Sequence, residues 1–288
     1  MQPYSLFLPN CPANGIIFNS PHSGTYLPEE FLKKISIDPA LLHFSGDLLV
    51  DKLIAETPRF GAAAFINNYA RTYVDTNRSA REIDPEMFHN LPPTLELLKS
   101  SKMARGFGVF SRKSYNGLDI YPEKLPAGDI NHRLDQVYHP VHNALNGLLQ
   151  QQFQSHRYYV LIDCHSMPSY AFIDPGFSGA KQADVVIGDC FQSSCHERLG
   201  AHVAKYFSNH GLKVIFNVPY SGGYNTQHYG QPNNAKQAMQ LEFNRALYMN
   251  EKTLEANDGF RPLKDILTGL SENLNKNISG LFFPEEKF

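Results

Sequence analysis

Val160-Leu161-Ile162-Asp163-Cys164-His165-Ser166 decides the fold. Residues 157–162 end in an apolar, β-prone run of the kind that forms a buried strand in an α/β sheet. The run stops in residues with usable lone pairs, Asp163, His165 and Ser166, and Met167-Pro168-Ser169 then breaks the regularity. Open α/β sheets bind ligands just past the carboxyl ends of their strands, so a strand ending in Asp-Cys-His-Ser is a natural place for a metal ligand. A second segment has the same form: Gly15-Ile16-Ile17-Phe18-Asn19-Ser20 reads as a strand and runs into Pro21-His22-Ser23-Gly24. Two strand ends with a His-Ser pair apiece predict two imidazoles at one rim.

The pattern around these strands alternates. Residues 62–67 read as a strand, and Tyr73-Val74 as a further short one. Residues 184–189 and 213–217 are apolar and β-prone, and 238–244 alternates as a last strand. Helical signals fall between them. Leu27 to Leu32 leads into a short helix, and Asp38-Pro39 has the N-cap and first-turn proline of a helix start. Residues 46–54 have apolar positions at helical spacing, which would put Asp47 and Asp51 on one face. A long amphipathic helix is expected over 131–153, kinked or started by Pro140. Residues 195–210, closed by Gly211, and 260–274 complete the set, the glycine at the position that ends helices. Residues 82–128 are an irregular, proline-bearing excursion, interrupted by a strand-like Gly106-Phe107-Gly108-Val109-Phe110. Such long loops in compact domains usually serve as lids or binding walls. One α/β domain over residues 1–288 with loop elaborations is the expectation.

Composition narrows the function. The 288 residues are 42% hydrophobic, enough for a substantial core, and the formal net charge of -2 offers no broad basic field for nucleic acid. No run of about 18 apolar residues predicts a membrane span, and the first residues lack the basic-then-apolar plan of a signal peptide. The four cysteines, Cys11, Cys164, Cys190 and Cys195, form no C-x-x-C pair. They suggest reduced thiols in a cytoplasm, although Cys190 and Cys195 could still bridge.

His22, Asp47 and His165 together could hold one divalent metal through two neutral imidazoles and a carboxylate, leaving an open position for water. Each also has a plainer reading: a lone histidine at a strand end is more often a hydrogen-bonding residue, and Asp47 could N-cap a helix. Asp51 is the rival ligand, and Asp163 is either a partner that orients an imidazole or a strand-end residue. Arg71 with Asp75-Thr76-Asn77-Arg78 offers guanidinium forks for a carboxylate, or an internal Asp75–Arg78 salt bridge. Glu242, between Leu241 and Phe243, either faces solvent or is a general base in a cleft. Gly222-Gly223-Tyr224 lacks nucleotide-loop spacing and reads as a turn that lets backbone approach a ligand. Cys164 should point to the face opposite His165, which argues against a thiol nucleophile.

Taken in order, these residues resemble the N-formylglutamate amidohydrolase family. The matching pieces are Asn19-Ser20-Pro21-His22-Ser23-Gly24, Asp47-Leu48-Leu49-Val50-Asp51, Arg71 through Arg78, Gly106 through Val109, Tyr138 through Leu145, Asp163 through Pro168, Gly222-Gly223-Tyr224 and Gln240 through Arg245. The resemblance implies a three-layer α/β/α fold with a central mixed, mostly parallel sheet, similar to zinc-dependent exopeptidases. It also implies zinc held by His22, Asp47 and His165, Glu242 as general base, and a carboxylate grip by Asn77 and Arg78, with Arg71, Gly223 and Tyr224 beside the substrate. The implied reaction is hydrolysis of N-formyl-L-glutamate to formate and glutamate, within histidine breakdown. Two positions depart from the family pattern: Tyr220-Ser221 stands where Phe-Lys is usual, and Gln227 where Arg is frequent. Both changes remove positive charge. Rival readings are a zinc deacylase or amidase for another N-acyl amino acid or peptide, and a non-catalytic carboxylate-binding protein. The expected partner is a small N-acyl amino acid, with neither nucleic acid nor membrane; the sequence is silent on oligomeric state.

Overall fold

Strands of three to nine residues make up the main sheet, and the computed structural model describes residues 1–171 and 183–282. The strands are β1 (Tyr4–Phe7), β2 (Ile16–Ser20), β3 (Ala63–Asn67), β4 (Phe88–His89), β5 (Leu125–Pro126), β6 (Tyr159–Met167), β7 (Val185–Gly188), β8 (Val214–Phe216) and β9 (Lys236–Asn244). The helices are α1 (Glu29–Leu32), α2 (Pro39–His43), α3 (Val50–Leu53), α4 (Ser101–Ala104), α5 (Gly128–Arg133), α6 (His139–His156), α7 (Glu197–Asn209), α8 (Tyr224–Tyr229) and α9 (Phe260–Phe282). Seven strands form one sheet in the order β1-β3-β2-β6-β9-β7-β8, while β4 and β5 make a separate parallel pair. β6 runs parallel to both β2 and β9, β7 parallel to β8, and β7 antiparallel to β9. The sheet is therefore mixed and mostly parallel, as the α/β reading expects.

The chain divides into two compact units that interleave along the sequence. The first comprises Met1–Ser5, Pro21–Leu48 and Ile66–Asn146; the second comprises Leu6–Ser20, Leu49–Phe65 and Gly147–Phe288.

The second unit holds the centre of the sheet. All nine residues of β6 are buried, which is why its sequence is almost continuously apolar until Asp163. β6 does not stop at Ile162. It stays paired with β9 from Tyr159 to Met167, so Asp163, His165 and Ser166 lie within the strand. α7 buries Leu199, Gly200, Val203 and Phe207, and its Phe207 ring meets Phe243 of β9 edge-on at 6.0 Å. Gly211, at φ +80°, follows that helix as its sequence predicts. α9 runs on to Phe282 and packs against α3, α7 and the turn Thr57–Phe60, where Ser271 Oγ donates to the Thr57 carbonyl at 2.9 Å.

In the first unit a buried cation orders the irregular excursion. The Arg133 guanidinium lies 4.9 Å from the Tyr73 ring centroid, 5.4 Å from Phe110, and 5.6 Å from both Phe31 and Tyr121. Its Nη1 also donates to the Tyr121 hydroxyl at 2.8 Å. Aromatic faces attract a desolvated guanidinium strongly, so one side chain ties residues 110 and 121 of the excursion to α5.

Four expectations need correction. Residues 106–110 form no strand: Gly106 has φ +88°, and a Cβ on Gly108 would stand 2.3 Å from the Glu82 carbonyl oxygen, so the chain loops tightly there. Tyr73-Val74 is a turn rather than a strand, with both amides directed at the Ala70 carbonyl. The helix expected over 46–54 shrinks to α3 because Leu49 adopts φ +69°, so Asp47 and Asp51 do not share a helical face. The helix expected over 131–153 runs as α5, a π turn at Leu134–Tyr138 and α6. Pro140 lacks an amide donor and follows closely on the π turn, an irregularity of the kind its presence leads one to expect. All four cysteines are free, so Cys190 and Cys195 do not bridge. Among the described residues, no helix is long and apolar enough to cross a membrane.

Candidate active site

In the first unit His22 stands between two carboxylates. It follows the end of β2, in a loop that packs tightly: a Cβ on Gly24 would come 2.4 Å from the Asn67 carbonyl oxygen, so only glycine fits. Asn67 Nδ2 donates to the Pro21 carbonyl at 3.0 Å, and the Asp47 amide donates to the His22 carbonyl at 2.9 Å. These bonds place Asp47 Oδ2 3.2 Å from His22 Nδ1. On the other side of the ring, His22 Nε2 is 2.7 Å from Asp75 Oδ1. All three side chains are buried. Carboxylates only accept hydrogen bonds, and a neutral imidazole has one N–H. If that N–H serves Asp75, then Nδ1 and Asp47 Oδ2 face each other as two lone-pair donors. A second ring proton or a shared cation satisfies that arrangement.

Asp75 is held from several directions. Arg71 reaches its Oδ2 with Nη2 at 2.7 Å and Nε at 3.2 Å, and the Asn77 amide donates to Oδ1 at 2.8 Å. The excursion contributes as well, since the Asp75 amide donates to the Val109 carbonyl at 2.8 Å. Burial pushes the Asp75 carboxyl upward, but Arg71, His22 and Arg78 together outweigh it and hold the group well below the usual carboxylate range. Arg78 stands further off, with Nε 3.8 Å from Asp75 Oδ2. That Nε is buried and has no hydrogen-bond partner among the described residues. Arg71, rather than Arg78, thus makes the close internal salt bridge, and burial lowers the Arg78 pKa from its ordinary value.

In the second unit the register of two strands does the positioning. His165 of β6 pairs with Glu242 of β9, so the two side chains emerge on the same face of adjacent parallel strands. Glu242 is buried, which excludes the solvent-facing alternative, and its Oε1 accepts from Gln240 Nε2 at 2.6 Å. His165 Nε2 lies 2.9 Å from Asp163 Oδ2. Asp163, fully buried, accepts a short hydrogen bond from Asn19 Nδ2 and lies 3.4 Å from Asn225 Nδ2. Arg245 Nε donates to Ser166 Oγ at 3.0 Å. Cys164 turns to the other face, where its Sγ contacts the Ile162 carbonyl; burial and the nearby Asp163 push its thiol well above the ordinary range. A thiolate nucleophile is unavailable there.

Gly223 caps the start of α8, and Tyr224 stacks on His228 with centroids 4.9 Å apart. The preceding Gly222, at φ +129°, passes so close to Cys190 that a Cβ would stand 2.6 Å from its Sγ. Gln227 is exposed on α8. His22 and Asp47 lie in the first unit and His165 in the second, and all three are buried. Sequence reasoning missed Asn19 and Asn225 as partners of Asp163, and treated Asp75 only as a partner for arginine. Asn19 stands three residues before His22 in the same motif, but only strand pairing reveals what it touches.

Most of the chain has counterparts among known proteins. Residues 14–249 match the family model described as N-formylglutamate amidohydrolase. The chain belongs to the N-formylglutamate amidohydrolase family. It is 25% identical to the N-formylglutamate deformylase of Pseudomonas aeruginosa over 240 residues, covering 82% of this chain and 83% of the relative. The N-formylglutamate deformylase of Pseudomonas putida is also 25% identical, over 242 residues and 82% of each chain. The crystal structure of N-formylglutamate amidohydrolase from Ralstonia eutropha JMP134 superposes with a TM-score of 0.92 at 30% identity, covering 96% of this chain and 99% of that one. Family membership makes this chain an enzyme of the hydrolase class that acts on amide bonds.

Proposed function

We propose that this protein hydrolyses the formyl amide of N-formyl-L-glutamate to formate and L-glutamate, with one divalent metal at His22, Asp47 and His165. Membership of the family supports the substrate. The observation that carries the metal is the His22–Asp47 contact. His22 Nδ1 and Asp47 Oδ2 stand 3.2 Å apart while Asp75 Oδ1 lies 2.7 Å from the opposite ring nitrogen. Two ligands at tetrahedral zinc distances stand about 3.3 Å apart, so the donors fit. Imidazole and carboxylate donors suit zinc. A metal there supplies Lewis acidity to the formyl oxygen and makes a bound water more acidic.

The protein's own groups do the rest. The Glu242 carboxylate accepts a proton from water and delivers it to the leaving amine. Its burial and its bond from Gln240 hold it in one orientation. Arg78, whose buried Nε has no hydrogen-bond partner among the described residues, and Arg71 grip the substrate carboxylates, with Asn77 beside them. Gly223 and Tyr224 line the approach at the start of α8. We place this chemistry in one amidohydrolase domain in the cytoplasm, acting on a small molecule without nucleic acid or membrane. The net charge of -2 and the four free cysteines support that placement.

The test is formate release from N-formyl-L-glutamate, against a panel of other N-acyl amino acids, by chelator-treated protein with and without added zinc. The expected result is zinc-dependent release with N-formyl-L-glutamate preferred. Equal turnover without metal rejects the metal site; preference for another acyl group assigns the chain to a different deacylase.

A further inference from the structure

β2, β6 and β9 bring three buried polar side chains into one row. Asn19 pairs with Asp163, and Asp163 pairs with Gln240. Paired residues of parallel strands share a face, and so do residues two apart on one strand. The row therefore lies on the face that carries His165 and Glu242, one alternation nearer the start of each strand. Two of its contacts lead toward the reactive pair. Asp163 accepts from Asn19 and meets His165 Nε2 at 2.9 Å; Gln240 Nε2 donates to Glu242 Oε1 at 2.6 Å.

We infer that Asn19, Asp163 and Gln240 form a positioning layer, which sets the orientation of His165 and Glu242 for the reaction proposed above. Asp163 can only accept, so it draws the His165 proton to Nε2 and leaves the Nδ1 lone pair for a ligand. Asn19 matters through Asp163. Its amide occupies Oδ1, so Oδ2 faces His165. Gln240 serves Glu242 in the same way, since a carboxylate requires the amide's NH2 end. The consequence is visible at the other end, because Gln240 Oε1 is buried without a partner among the described residues. A purely structural amide would turn to satisfy both ends. An orphan acceptor of this kind is uncommon in native proteins and needs a reason, and holding Glu242 is that reason. Asp163 and Gln240 thus each aim one reactive group on their own strand, two residues further on.

The experiment uses Asn19→Leu and Gln240→Met, which keep side-chain volume and remove the amides. Gln240→Met should lower kcat about tenfold with KM within about twofold and zinc content unchanged. Asn19→Leu should weaken zinc binding about tenfold in a chelator competition, within the range seen when partners of metal-bound histidines are removed. In chelator-treated protein, 15N NMR of His165 should show the Nε2–H tautomer in the wild type and a mixture in Asn19→Leu. Wild-type kcat in the first variant, with wild-type zinc affinity and tautomer in the second, overturns the inference. Should either variant fail to fold, Asn19→Ser and Gln240→Asn keep a donor on a shorter side chain; intermediate values are expected, and wild-type values again overturn it. Wild-type protein that neither binds zinc nor releases formate defeats the hydrolase reading instead. The tautomer comparison then still decides the layer.

Discussion

His22 and His165 each present Nε2 to a buried aspartate, yet the two units secure those aspartates by different means. In the first unit Asp75 is held by charge: Arg71 clasps it at 2.7 Å, the Arg71 side chain is 24% exposed, and Arg78 stands near. In the second unit Asp163 is held by neutral amides from Asn19 and Asn225, and its own side chain is wholly enclosed. The difference follows from where each sits. Asp75 lies in a loop, where guanidinium groups can remain partly solvated and can also meet a substrate carboxylate. Asp163 lies mid-strand in the centre of a sheet, where a buried cation would carry a heavy desolvation penalty and amides satisfy the carboxylate without one. In the proposed reaction the first arrangement would double as a binding surface, and the second would only position.

The largest effects should come from removing the groups these aspartates serve. His165→Ala and His22→Ala should each abolish zinc retention and turnover, measured by metal analysis and formate release; an active, metal-free variant of either breaks the comparison. Glu242→Gln should retain zinc and lose about 10²- to 10⁴-fold in kcat, the usual contribution of a general base, and an unchanged kcat removes Glu242 from the chemistry. Next in size come the aspartates themselves. Asp75→Asn and Asp163→Asn should each weaken zinc affinity about 10- to 100-fold. They should differ in KM: Asp75→Asn frees Arg71 and changes substrate affinity, whereas Asp163→Asn leaves KM near the wild-type value. Equal KM changes in both would erase the distinction. Arg78→Ala should raise KM for N-formyl dicarboxylates about tenfold, from loss of a charge-assisted hydrogen bond, and should matter much less for uncharged N-formyl amino acids.

Much of this was legible in the chain, for reasons that differ by element. The core strands announce themselves because burial on both faces demands an uninterrupted apolar run, as in Tyr159–Ile162 and Ile16–Phe18. The terminal β1 does not, since its residues are half-buried or exposed and carry no clear period. Glu242 shows the limit of periodicity. Gln240, Glu242 and Asn244 alternate like a solvent-facing edge, yet β9 lies between β6 and β7 and all three are buried. Metal-ligand candidates can be found by residue type, but their partners cannot. Asn19 and Asp163 are 144 positions apart, and His22 and Asp75 are 53 apart. Only strand register and loop packing bring such pairs together. The strand-like glycine segment at 106–110 misleads for the opposite reason: its apolar residues pack inward from a tight loop whose carbonyl at Val109 holds the Asp75 amide.

The smallest expected effect lies at Cys164, between Asp163 and His165 on β6. Sequence proximity would make a thiol flanked by Asp163 and His165 a natural suspect. Strand geometry says otherwise, because successive side chains point to opposite faces and Cys164 is buried with its Sγ against the Ile162 carbonyl. Cys164→Ala should therefore leave kcat, KM and zinc content within about twofold of wild type, while lowering stability by about 1 kcal/mol for the lost buried sulfur. Thermal melts read the second quantity and formate release the first. A collapse of activity with zinc retained and the fold intact would mean that the face carrying His165 and Glu242 is not the reactive one. It would overturn the assignment of both residues, whereas a loss confined to stability confirms that alternation along β6 separates packing from chemistry one residue at a time.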